Sequence, residues 1–395
     1  HEGHLHQWDD AYTLYHRPAT RFVADFVGRS NVLPATRDAD GYRTLDVFVP
    51  AEHVADVDAG LDVYVHVHGG TNVGGSRTAG INAGAGLLRD GGRAAVVVVV
   101  EYALGPLGFW YDAHSPNTNN VALREIVLAL HWVQRRVIYF GGDPRRVTLG
   151  GHSAGAALAQ HVHIALADYA RFGFGAPPFT RLLLMSGTAG LLAAATPAQA
   201  LDRQRRFLEH LDECRGVDAA ETRLCVSLCP MERIRAAALA SRVPWTVVAD
   251  GVVLPPGRAS DLVAAGHYMP VESVHMTVTT NETAAFLEAA QKRTPALRDN
   301  VSVFGAWLLL TGSPIAATRM AEHYSGADAF AEVVRSTSDA FFAHPAYSMR
   351  DAYRRSHTPA GLAFLSERMD RLDNDSLVGR SVRLLSDARA SSFGR

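Results

Sequence analysis

The sequence predicts an α/β fold: a mostly parallel central sheet with helices on both faces. Three observations carry this. Ala94 to Val100 (AAVVVVV) is β-branched and apolar on both faces, which suits a central parallel strand covered on each side. From Ala94 to Ala167 the order is strand, helix, short strand, sharp Gly-rich turn, helix, the alternation that builds a parallel sheet. Between Val121 and Val137 the residues Leu123, Ile126, Val127, Leu130, Val133 and Val137 recur at intervals of three and four, giving a helix with one apolar stripe.

The remaining elements follow in order. Tyr42 to Val49 and Leu61 to Val67 alternate apolar and polar residues, the period of a strand with one buried face. Val147 to Leu149 starts another strand. Ala156 to Ala167 lacks Gly and Pro and reads as a helix, and Leu182 to Met185 is a further buried strand. After Thr196 the chain is mostly helical, with Ser273 to Thr279 as the only later strand expected. One domain is expected over residues 1–395, with an N-terminal arm at 1–40 and an irregular tail at 371–395 that is rich in Arg, Asp and Ser.

Bulk properties remove several function classes. Apolar residues make up 48% and charged residues 20% of the 395, an ordinary globular composition. A net charge of -2 gives no long-range field of one sign, so neither nucleic acid nor an anionic membrane is implied as a partner. The most apolar stretch, Val301 to Ala317, is broken by Gly305, Gly312, Ser313 and Pro314 and predicts no transmembrane segment. No nucleotide-binding glycine fingerprint or P-loop lysine occurs, so no cofactor is expected. No metal is expected either. His66 and His68 could share a face, but a third ligand is lacking, and Cys214, Cys225 and Cys229 have no second Cys/His pair. The first residue is His1, which leaves open whether a targeting segment precedes it.

Gly151-His152-Ser153-Ala154-Gly155 fits G-x-S-x-G. Its small residues let a strand turn sharply into a helix and hold the Ser hydroxyl exposed. It follows the apolar Val147-Thr148-Leu149 and precedes the Ala156 helix, the setting that such an elbow requires. His68-Gly69-Gly70-Thr71 ends the Leu61 strand, where a nucleophile-elbow enzyme places backbone N–H donors for an oxyanion.

With these motifs in place, the chain from about Tyr42 to Phe364 resembles the type-B carboxylesterase and cholinesterase family of α/β-hydrolases. HGGTNVGGS (His68 to Ser76) resembles the family's oxyanion loop, and EYALGPLGF (Glu101 to Phe109) its N-Y-R-L-G-x-L-G-F block. FGGDP (Phe140 to Pro144) runs into the elbow as the family's chain does, and ADGVVLP (Ala249 to Pro255) resembles D-G-x-x-L-P. TTNETAAFL (Thr279 to Leu287) resembles the strand-end loop bearing the catalytic acid, which implies Glu282. The resemblance further implies Ser153 as nucleophile, the N–H groups of Gly70, Thr71 and Ala154 as oxyanion hole, and a small carboxylic ester as substrate. It also implies a Cys214–Cys225 disulfide with Cys229 left free. The disulfide, and the N-glycosylation patterns at Asn281, Asn300 and Asn374, suggest a secreted or lumenal protein; import into an organelle such as the mitochondrion is the alternative.

The pattern is incomplete. The family's base lies in an H-G-x-E-like segment after the acid, and no such segment occurs; the histidines after Glu282 are His323, His344 and His357. His152 is a tempting substitute, but neighbours at a strained elbow point apart. Thr71 stands where a glycine is usual, Ala103 replaces the arginine of the N-Y-R block and leaves Glu125 without its ionic partner, and His152 stands where Glu is common. Two expectations result. The first is a hydrolase-derived pseudoenzyme of impaired or absent activity, serving as a structural or interaction subunit for protein partners. The second is an active serine esterase using Ser153.

Overall fold

The computed structural model describes residues 36–38, 41–43, 45–50, 53, 58–78, 94–293, 302–311 and 313–365. Its strands are β1 (Thr36–Asp38), β2 (Gly41–Arg43), β3 (Leu45–Phe48), β4 (Leu61–Val67), β5 (Ala95–Val100), β6 (Gly142–His152), β7 (Arg181–Met185), β8 (Ser273–Thr279) and β9 (Ala360–Leu365). The helices used below are α1 (Val121–Arg136), α2 (Ala154–Ala165), α3 (Pro197–Leu208), α4 (Ala219–Leu228), α5 (Met231–Ser241), α6 (Ala259–Ala264), α7 (Ala284–Arg293), α8 (Val303–Thr311), α9 (Pro314–His323), α10 (Ala329–Ser338) and α11 (His344–Arg355). The tail 371–395 lies outside the described residues, as do Asn300 and Asn374; of the arm 1–40, Thr36–Asp38 are described.

Seven strands form one sheet in the order β3-β5-β4-β6-β7-β8-β9. β3 runs antiparallel to β5, and the other neighbours are parallel. The all-valine run explains the position of β5. Val96 to Val100 are at most 3% exposed, and β-branched side chains on both faces suit a strand flanked by β3 and β4. Alternation divides the core into two faces. Val63, Val65, Val67, Val96, Val98, Leu182 and Leu184 join the main core with α1 and α2. Tyr64, Val97, Val99, Leu183 and Met185 form a smaller cluster on the other face. A third cluster, around Val303, Trp307, Ala317 and Val333, holds the helices between β8 and β9 together.

Strand order explains where a site can form. After β4 the chain moves to β5 on one side, then crosses to β6 on the other side of β4. Connections leaving β4 and β6 therefore diverge at the carboxyl ends of these two strands, the place where open α/β sheets bind ligands. Helix α11 is tied to the C-terminal half of α2. Tyr353 of α11 is fully buried, and its hydroxyl lies 3.2 Å from the Gln160 amide and 2.9 Å from His163 Nδ1, both on α2.

Three sequence expectations need correction. Ser273 to Thr279 is not the only later strand, because Ala360–Leu365 pairs with β8 from Val274↔Ala360 to Thr279↔Leu365. Ala-Gly-rich residues carry little strand preference of their own, and the exposed edge of β8 supplied the partner. The expected Tyr42–Val49 strand is two, since β2 pairs with β1 whereas β3 pairs with β5. β6 starts at Gly142 rather than Val147, with Gly142 paired to Leu61 and an irregularity in register before Val63. The Cys214–Cys225 disulfide is formed and Cys229 is free.

Candidate active site

Ser153 sits between the last residue of β6 and the first of α2, at φ 55 and ψ -122. An L-residue rarely takes such a conformation, and it persists only where the surroundings over-determine it. The Ser153 N–H donates to the Met185 carbonyl at 2.8 Å, and the Ser153 carbonyl accepts from Ala156 and Ala157 N–H at 3.0 and 3.2 Å. Glycines close the turn. A side chain at Gly155 would collide with the Val67 and His68 carbonyls, and one at Gly187 with the Ser153 carbonyl. Ser153 is thus half-buried where β6 turns into α2.

The loop after β4 lies against this turn. A Cβ added at Gly69 would stand 3.0 Å from Ser153 Cβ, so the backbone carrying Gly70 and Thr71 passes close to the nucleophile candidate. Thr71 is exposed, and its strain is in the backbone: it takes φ 53 and turns its hydroxyl back to donate to the Gly70 carbonyl at 2.8 Å. Asn72, buried at φ 63, pins the loop by donating its side-chain amide to the Trp245 carbonyl at 3.0 Å, while its own carbonyl accepts from Gly105 N–H at 2.7 Å. Ala154 opens α2, where first-turn N–H groups lack helical partners. Gly69, directly before Gly70 and Thr71, and Ala154 are thus the described neighbours of Ser153 on this side.

A carboxylate fastens both stems of that loop, and sequence reasoning missed it. Glu101, directly after β5, lies 3.1 Å by Oε1 from His68 Nε2 and accepts the Arg77 N–H on Oε2 at 3.0 Å. His68 is fully buried, stacks on Tyr102 at 4.3 Å between ring centroids, and its carbonyl accepts from the Tyr102 hydroxyl at 2.8 Å. Burial would raise the Glu101 carboxyl; the His68 hydrogen bond, the Arg77 N–H and the nearby charges outweigh it and hold the group below the ordinary carboxylate value. The one signal available in the sequence was an acid at the N-Y-R-like position. Glu125, expected to have lost its partner, accepts the Ala103 N–H at 2.6 Å instead, and burial raises its carboxyl.

Glu282, three residues past β8, is 3% exposed and accepts the Thr279 N–H at 2.7 Å. Burial raises its carboxyl, and the Thr279 N–H with the Ser186 and Thr279 hydroxyls offsets only part of that. Ser186, at φ 50 in the turn after β7, is followed by the Gly187 that packs on Ser153, so one short turn borders both the nucleophile and the acid candidates. Ser186 too was missed by sequence reasoning, its hydroxyl being one among many. His152 is buried, with its Nε2 unpartnered among the described residues, and desolvation lowers its pKa to about 4. That keeps it neutral. His323 on α9 stacks edgewise on Tyr324; with His344 at the start of α11 and His357 in the turn after it, it is exposed. Among the described residues none of these imidazoles is hydrogen-bonded to Ser153 or Glu282.

Residues 38–371 match the model of the carboxylesterase family. The chain is 30% identical to cocaine esterase of Homo sapiens over 275 residues, which is 67% of this chain and 44% of that protein. It is 32% identical to esterase E4 of Myzus persicae over 47% of this chain and 31% of that one. The chain thus matches less than half the length of these curated relatives. Among solved structures, a carboxylesterase of Geobacillus stearothermophilus superposes with a TM-score of 0.66 at 22% identity, covering 85% of this chain and 68% of that one. A PNB esterase superposes with a TM-score of 0.61, also at 22% identity, over 83% of this chain and 64% of that one. Both show the same α/β-hydrolase fold.

Proposed function

The chain belongs to the carboxylesterase family, and from that premise we propose that it carries an acyl-transfer site for small carboxylic esters at Ser153, in a form of impaired turnover. The retained strain at Ser153, φ 55 and ψ -122, carries the reading. An unfavourable backbone held in place by close-fitting glycines has no packing advantage over a relaxed turn, whereas it presents a hydroxyl for attack on a carbonyl.

In this reading Ser153 Oγ adds to the ester carbonyl, and the N–H groups of Gly70, Thr71 and Ala154 receive the oxyanion. Glu282 is the group that would orient an imidazole and stabilise its protonated form. The exposed positions of His323, His344 and His357 support impaired turnover. Loss of the base from such a constellation costs on the order of a million-fold in turnover. The same observation supports a second reading, a structural or interaction subunit that uses the hydrolase fold as a surface for protein partners. The disulfide supports an oxidising, secreted or lumenal location.

Treatment with a fluorophosphonate probe, followed by mass spectrometry of the peptide containing Ser153, separates the readings. Labelling that disappears in Ser153→Ala is expected for an acyl-transfer site. No labelling of folded protein leaves the interaction subunit, and copurifying partners then become the object.

A further inference from the structure

Cys214 is buried in the single turn Asp212–Cys214, Cys225 lies on α4, and Cys229 follows the last residue of that helix. Cys225 and Cys229 are one helical turn apart and so share a face, and that face meets Cys214. The Cys229 sulfur is 3.6 Å from the Cys214 sulfur, and all three sulfurs lie within 4.8 Å of one another. A buried cysteine thus has two half-buried candidates for one bond, and the free one touches the existing bridge.

We propose that the three cysteines form a thiol–disulfide exchange site in which Cys214 is the shared sulfur and Cys225 and Cys229 alternate as its partner. Cys229 loses its proton to solvent and attacks Cys214 Sγ, 3.6 Å away. The Cys214–Cys229 bond forms as the Cys214–Cys225 bond breaks. Cys225 leaves as a thiolate and takes a proton from water. Thiols and disulfides are equal in number before and after, so no oxidant or reductant is consumed. The consequence is a free thiol that moves between two positions on one helix face, each open to capture by a small disulfide compound.

The surroundings set the pace. Only the thiolate attacks, and burial, then Glu213, raise the Cys229 thiol while Arg233 opposes them. Arg233 is itself paired with Glu213 and bordered by Asp212. Exchange is therefore slow near neutrality and accelerates as the pH rises.

The test needs no catalytic readout, so it stands apart from the reading of Ser153. The oxidised protein is held at about pH 8.5, near the ordinary thiol pKa, quenched in acid, capped with a maleimide and digested at low pH for disulfide mapping. Both Cys214–Cys225 and Cys214–Cys229 linkages are expected, with the cap on Cys229 and Cys225 respectively and a ratio independent of protein concentration. Recovery of Cys214–Cys225 alone, with the cap confined to Cys229 however long the incubation, overturns the proposal. Cys225→Ser provides a second arm: mild oxidation is expected to yield a Cys214–Cys229 bridge, and two persistent free thiols would also overturn it.

Discussion

Glu101, half-buried, and Glu282, buried, are two carboxylates at the carboxyl end of the same sheet, and their environments have opposite effects. Glu101 has a histidine on one oxygen and a backbone N–H on the other, and its carboxyl is held below the ordinary value. Glu282 is more deeply buried, has one backbone N–H and two hydroxyls around it, and its carboxyl is raised. The fold has satisfied the first with partners of its own, so Glu101 acts on structure, fixing the loop that bears Gly70 and Thr71. The second has no cationic partner among the described residues. A desolvated carboxylate without a charge partner is what a protonated imidazole would relieve, which is why we propose Glu282 rather than Glu101 as the acid.

The comparison can be broken most severely at its shared foundation. Gly155→Val forces side-chain atoms into the Val67 and His68 carbonyls and is expected to destabilise by about 3 kcal/mol or more, read as a lower urea midpoint or loss of soluble protein. Next comes Glu101→Gln, expected to cost about 2 kcal/mol near neutrality, the scale of a hydrogen bond to a charged group. Because the folded carboxyl is lowered, its stabilisation is complete above the ordinary Glu value of about 4.3 and is lost as pH falls through the folded one. Urea titrations of both proteins should therefore converge in acid. A gap of equal size at every pH would assign the loss to packing instead of charge.

Glu282→Gln should have the opposite sign. A raised folded carboxyl means that ionisation opposes folding above the ordinary value, in full once pH exceeds the folded one. The variant keeps an acceptor for Thr279 N–H and is expected to be more stable than the parent by about 1 kcal/mol at mildly alkaline pH, with the difference vanishing in acid. A variant less stable than the parent at alkaline pH would mean that Glu282 has a cationic partner after all. The smallest effect is expected at Thr71→Gly. Relief of a left-handed L-residue, about 1 kcal/mol, is partly offset by the added freedom of the unfolded chain. A net gain of about 0.5 kcal/mol in chemical unfolding is the outcome to look for.

The sheet was legible where composition left one solution. The valine run of β5 could be read as a strand because burial on two faces demands that pattern; β4 was legible as a strand, but its alternation implied one buried face, whereas Tyr64 and His66 are buried as well. β9 could not, since its Ala-Gly-rich sequence becomes a strand only through pairing with β8. At the candidate site, Ser153 and the Gly70–Thr71 turn came from short local motifs, and Glu282 only from the family resemblance. The His68–Glu101 bond came from none, because the partners are 33 residues apart and nothing local distinguishes a paired glutamate from a solvated one. The contact of Cys229 with the bridge was likewise invisible, although helix spacing put Cys225 and Cys229 on one face.

By itself the sequence determined the fold class, the identity of the nucleophile candidate and the disulfide that its family resemblance implied. These depend on local periodicity, on residues small enough for a tight turn, and on matching blocks in order. Only the tertiary structure decided which carboxyl is lowered by its hydrogen bonds and which is raised by burial, and which cysteine stands against a bond it does not share. Desolvation and pairing are set by neighbours brought together from distant parts of the chain, and a linear pattern carries no record of them.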